Sequence, residues 1–150
     1  MTELMNYADH VHAMLEVERH QAANRLQHIM DALPEKTLKI ALGIHPDQDG
    51  EGYVTLMVHL EGPDVSVLNG AIAQWRTLFD GFIPLLLEGH ADINAANGED
   101  AEFIAGDILV DSAADWLEAM WRAEQSSATD LPVSIFCAEA FGTRVPRSVT

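Results

Sequence analysis

An α+β fold is expected of this chain: a single domain over residues 1–150, with an antiparallel sheet, helices on one face, and the order α-β-β-α-(β)-α-β-β. Three observations point there. Two runs of alternating residues, from Leu38 to Ile44 and from Val54 to Leu60, flank a polar loop. Apolar residues elsewhere recur at helical spacing in three stretches. The length of 150 residues suits one domain, which at that size buries roughly 70% of the surface its unfolded chain exposes.

The first stretch carries Leu4, Ala8, Val11, Leu15, Ala22, Leu26, Ile29 and Leu33 in steps of four and three, with Thr2 or Asn6 as cap and Pro34 as stop. A helix from Leu4 to Leu33 would be about 45 Å long. A domain of this size is about 40 Å across. Either the helix breaks, and Glu18-Arg19 interrupts the apolar stripe, or an overhanging end packs on a second copy as a twofold homodimer.

In the hairpin, pairing Ile44 with Val54, Leu42 with Leu56, Ile40 with Val58 and Leu38 with Leu60 gathers the apolar side chains on one face. Lys39, Ala41, Gly43, His45, Tyr53, Thr55, Met57 and His59 then share the other, which is expected to be wet. Gly62-Pro63-Asp64 opens a second helix through Leu68, Ile72, Trp75, Leu78 and Phe79, closed by Asp80-Gly81. From Phe82 to Leu87 a short strand is expected, confined to an edge by Pro84. The Gly-, Asn- and Asp-rich stretch from Glu88 to Glu102 reads as a long loop.

A third helix should start near Asp107 or Asp111 and present Leu109, Ala113, Trp116, Leu117, Met120 and Trp121 before ending at Gln125-Ser126-Ser127. Val133, Ile135 and Cys137 alternate with Ser134, Phe136 and Ala138, and the turn Phe141-Gly142-Thr143 leads to Arg144-Val145, closed by Pro146. This is a second, weaker hairpin. Each hairpin follows a helix and a Leu-Pro step, Leu33-Pro34 and Leu131-Pro132.

Eight Lys and Arg against 24 Asp and Glu give a formal charge of −16. That field repels phosphate backbones and anionic lipid surfaces, so neither nucleic acid nor membrane is an expected partner, and it attracts basic proteins. Acidic residues that only keep the chain soluble are the competing explanation. Cys137 is the only cysteine and can form no internal disulfide, which favours the cytoplasm. No cationic leader followed by an apolar block is visible, and the apolar run around Phe82 to Leu87 is far too short to span a bilayer.

Candidate sites are weak. Asp47, Asp49 and Glu51 lie in the loop Asp47-Gln48-Asp49-Gly50-Glu51-Gly52 and could point oxygens at a calcium ion. Counting Asp47 as position one of an EF-hand loop, position twelve is Val58 inside a strand, so a plain hairpin loop is favoured. His12, Glu16 and His20, with Asp9 beside them, share a helical stripe that could supply metal ligands, but a solvated helix face explains them more simply. Cys137 is expected to point into the core, with no base nearby to activate it. Nucleophile-elbow, phosphate-loop and dinucleotide glycine patterns are absent, so no catalytic residue and no cofactor is expected.

The order Asp47-Gln48-Asp49-Gly50-Glu51-Gly52, Gly62-Pro63-Asp64, Val67-Leu68-Asn69 and Asp111-Ser112-Ala113-Ala114-Asp115-Trp116-Leu117 resembles a family of small uncharacterised bacterial proteins of unknown function. The resemblance covers about Leu38 to Met120 and implies a bacterial source, with no activity to carry over. In size and surface, though not in motif, the chain is also similar to toxin immunity proteins.

The expected function is therefore a non-enzymatic acidic protein-binding domain that neutralises a basic partner. Candidate contacts are Asp47, Asp49, Glu51, Glu99, Asp100 and Glu102. A small-molecule or metal site between the hairpin loop and the segment from Glu99 to Asp107 is the second expectation. A structural, self-associating protein is the third.

Overall fold

The alternating runs form two antiparallel strands, β1 (Lys39–Pro46) and β2 (Tyr53–Glu61). The structure is a computed structural model that describes residues 7–47, 52–83, 98–125 and 129–149, with the backbone alone over 98–105. Ile44 faces Leu56, Leu42 faces Val58 and Ile40 faces Leu60, a register two residues away from the expected one. A two-residue step preserves side-chain parity, so the same face is buried. The displacement arises because β1 runs on to Pro46, opposite Val54, and the Asp47 N–H closes the hairpin on the Tyr53 carbonyl at 2.9 Å. Leu38 then falls outside the apolar ladder and is 62% exposed.

Three further strands complete the sheet: β3 (Thr77–Phe82), β4 (Val133–Cys137) and β5 (Arg147–Ser148), in the spatial order β3-β2-β1-β4-β5. β4 lies parallel to β1, with Ile40 opposite Val133 and Ile44 opposite Cys137, so the sheet is mixed and not purely antiparallel. A long helix intervenes before β4, and such a crossover lets a strand return in the same direction as its neighbour. The second hairpin exists, but its return strand is Arg147–Ser148 and not Arg144-Val145. Asp111 is the reason: its carboxylate accepts from the Thr143 N–H (2.8 Å), the Arg144 N–H (3.0 Å) and the Thr143 hydroxyl (2.6 Å), which ties that segment to a helix.

The first helix is two helices, α1 (Tyr7–Val17) and α2 (Arg19–Asp31), broken at Glu18 as the interrupted stripe suggests. Tyr7, Val11 and Leu15 of α1 and Ala22, Leu26 and Ile29 of α2 are all fully buried. The overhang on which the dimer expectation rests is thus absent among the described residues.

Helix α3 (Val65–Ala71) is capped by Asp64, whose side chain accepts from the Val67 N–H. It stops well short of Phe79. The buried Asn69 side chain accepts from the Leu60 N–H at 2.9 Å and donates to the Leu60 carbonyl at 3.0 Å, pinning α3 to the end of β2 and sending the chain back along that strand. Leu78 and Phe79 therefore sit in β3, not in a helix. Both are buried although adjacent, because the ladder slips between Leu56 and Met57. The expected strand from Phe82 to Leu87 and most of the expected loop from Glu88 lie outside the described residues beyond Ile83.

Helix α4 (Gly98–Glu124) begins earlier than Asp107, so Gly98 to Glu102 is helical and not loop. Trp116, Leu117, Met120 and Trp121 of α4 complete one core with α1, α2 and the apolar face of the sheet. Among the described residues no helix is long and apolar enough to cross a membrane.

Candidate functional site

His12, Glu16 and His20 do not come together as a metal site among the described residues. His12 and Glu16 lie on α1 and His20 on α2, beyond the break at Glu18. Glu16 is engaged elsewhere, accepting from the Trp116 indole Nε1–H at 2.7 Å and from the Arg19 guanidinium at 3.4 Å. Among the described residues no three His, Cys, Asp or Glu side chains converge as a metal site. Of the loop acids, Asp47 is half-buried at the end of β1, while Asp49 and Glu51 lie outside the described residues. Glu99, Asp100 and Glu102 belong to the start of α4. Cys137 is half-buried against the core, and burial pushes its thiol pKa up, which keeps it protonated and a poor nucleophile.

Two arrangements stand out instead, and the first is a sheet edge, β3, on which no further strand lies among the described residues. The Ile83 N–H donates to the Gly52 carbonyl at 2.8 Å, which fixes the phase of the β2–β3 ladder. Gly81 and Phe79 then exchange hydrogen bonds with Val54 and Leu56, while Asp80 and Phe82 turn their N–H and C=O groups away from β2. The Thr77 carbonyl also points away, and takes the Arg25 guanidinium at 3.2 Å. Only glycine can stand at Gly52, where φ is +110° and a Cβ would lie 2.2 Å from the Ile83 carbonyl oxygen.

Beyond this edge the α1–α2 elbow leaves a groove of about 630 Å³ between Met14, Val17, Glu18, Gln21 and Arg25 on one side and the whole of β3 on the other. Val17 is 78% exposed there. On the outer face of the edge, the Phe82 ring lies 4.7 Å from that of Tyr53, and the Thr55 hydroxyl donates to Asp80 Oδ1 at 3.2 Å.

The second arrangement lies on the sheet face away from the main core. Gly43 pairs with Met57 on one side and Phe136 on the other, while His45 and His59 flank it along β1 and β2. With no Cβ at Gly43, both imidazoles lie over it: an added Cβ would come within 2.8 Å of His45 Nε2 and 2.9 Å of His59 Nε2. The two Nε2 atoms are 2.9 Å apart, and Phe136 packs against both rings. This face, expected to be wet, is thus partly covered, with His45 and His59 half-buried and Ala41 buried.

The tautomers follow from Arg76. Its guanidinium can only donate, and it lies 2.8 Å from His59 Nδ1 and donates through Nε to the Val58 carbonyl at 3.2 Å. His59 therefore accepts at Nδ1 and carries its proton on Nε2, which donates to Nε2 of His45; His45 in turn keeps its proton on Nδ1. A metal bridging the two Nε2 atoms would need that His59 proton moved to Nδ1, against Arg76, so the pair is set up as a hydrogen-bond chain and not as a chelate. Burial, then the charges of Arg76 and His45, push the His59 pKa down to about 4. Burial and Arg76 also hold His45 below the usual imidazole value.

Sequence reasoning placed His45 and His59 on one face but missed Arg76 and the role of Gly43. The signal was available in the register, since a residue without a side chain lies midway between two histidines of the same parity. The edge was hidden because Leu78 and Phe79 fit helical spacing.

No curated protein and no solved structure matches the chain. A family match does extend over nearly its whole length, further than the resemblance from Leu38 to Met120. Through residues 1–149 the chain belongs to the Family of unknown function (DUF6389).

Proposed function

We propose that this chain is a non-enzymatic protein-binding domain whose partner is basic, and that it acts by occupying that partner's positive surface. The observation that carries this reading is how the few cations are used. Arg19, Lys39, Arg122, Arg144 and Arg147 are all within ion-pair distance of the chain's own carboxylates, at Glu16 and Glu124, Glu61, Glu118, and Asp115. With the positive charge largely neutralised from within and a formal charge of −16, the outward field is acidic and steers basic proteins toward the surface.

The test is capture from the source cell followed by reconstitution with the purified partner. A protein of net positive charge is expected, with an association rate that falls steeply as salt rises through the physiological range. Partners that are neutral or acidic, or an association rate indifferent to salt, would remove the basis of the reading.

A further inference from the structure

We propose that β3 is a docking edge, on which an extended segment of the basic partner, alternating apolar residues with Lys or Arg, adds as a further strand in the groove beside the α1–α2 elbow. The proposal rests on the protein-binding reading above and names the place and chemistry of the contact.

Among the described residues the sheet has two outer edges, and they differ. β5 is a two-residue strand, too short to template a partner. β3 is six residues long, and its sequence Thr77-Leu78-Phe79-Asp80-Gly81-Phe82 contains neither the proline nor the lysine that commonly blunts an edge. No described residue bonds the outward backbone groups of Asp80 and Phe82. Arg25 already occupies the Thr77 carbonyl, so it marks one end of the available ladder. Among the described residues four groups remain unpaired, the N–H and C=O of Asp80 and of Phe82. Strand addition supplies affinity through such groups and specificity through alternate side chains.

The flanking walls say what those side chains should be. An added strand turns every second residue toward the elbow, where Met14 and the exposed Val17 offer apolar surface. The residues between them lie beside the outer face of β3, where, among the described residues, Asp80 has only its Oδ1 engaged, by Thr55. A basic residue there meets that carboxylate. The whole chain's charge acts in the same direction.

The probe is a blocked peptide alternating Val and Lys, compared with its Val and Glu counterpart, each added at up to millimolar concentration to the full chain. Amide hydrogen exchange is read residue by residue. The expected result is fast exchange at Asp80 and Phe82 in the isolated chain, slowed by the lysine peptide and not by the glutamate peptide.

Phe82→Pro removes an outward N–H at an edge position where proline is tolerated, and should weaken binding about five- to tenfold, the cost of one ladder hydrogen bond. Val17→Lys, at a site 78% exposed, should weaken it without touching the core. Unchanged thermal unfolding of both variants separates lost binding from lost fold. Lysine peptide bound with Asp80 and Phe82 still exchanging freely, and with Phe82→Pro binding normally, overturns the docking edge and leaves the basic-partner reading standing. Equal protection by the glutamate peptide keeps the edge and removes the charge argument. Amides already slow in the isolated chain, or no peptide bound at millimolar concentration, overturn the proposal; slow exchange that grows with protein concentration assigns the edge to a second copy.

Discussion

His59 should make the stability of this protein fall on acidification through a window fixed by its surroundings. Above the ordinary imidazole value of 6.5 the ring is neutral whether the chain is folded or not, and contributes no pH dependence. Below it the unfolded chain takes up the proton, while the folded chain refuses it until about pH 4, so stability present above 6.5 is lost as pH falls toward 4. At about 1.4 kcal/mol per pH unit the gap sets a ceiling of about 3 kcal/mol. Because His59 is only half-buried, solvent screening reduces the expected loss to about 1–2 kcal/mol. Carboxylates titrate in the same range, so the informative quantity is wild type minus His59→Gln in urea titrations between about pH 7 and pH 4. Glutamine cannot gain the proton, and the variant should lose less stability on acidification by that same 1–2 kcal/mol, whatever its constant offset. A difference that does not change with pH, or a His59 resonance titrating near 6.5, would refute the reasoning.

Leu56→Ala should cost about 2–5 kcal/mol as a core truncation, since Leu56 is fully buried opposite Ile44; a loss under about half a kcal/mol in denaturant titration would contradict the face assignment. Asn69→Ala strands the N–H and C=O of Leu60 and should cost about 2–4 kcal/mol by the same measurement. Gly43→Ala should push the imidazoles apart and raise the His59 pKa toward its ordinary value, which a proton NMR titration reads directly. The loop from Asp47 to Gly52 should bind calcium no more tightly than about millimolar in isothermal titration, its twelfth position being Val58; micromolar binding abolished by Asp49→Asn would overturn this.

The hairpin was legible because alternation leaves one workable parity, and the break at Glu18 because a charge interrupts an apolar stripe. What failed depended on distant partners. Leu68, Ile72, Trp75 and Phe79 keep helical spacing, yet Asn69 is claimed by Leu60 and the chain turns into β3. The parallel placement of β4 was invisible for the same reason, since nothing within Val133–Cys137 records which strand it will meet. The histidine chain needed both the register and Arg76, a residue whose neighbours in sequence say nothing of His59.

The parallel pairing of β1 with β4 also orders events during synthesis. The hairpin of β1 and β2 and the strand β3 are complete by Ile83, but Ile40 must wait for Val133 to leave the ribosome before its second edge is covered. Until then a nascent chain exposes the middle strand of its sheet, with Leu42 and Ile44 on one side of an open ladder. Contacts so distant along the chain slow folding and prolong exposure to aggregation. Emergence of β4, and not of the first hairpin, is then the step after which this protein closes its core, and a nascent chain stalled in α4 should be the species that chaperones hold longest.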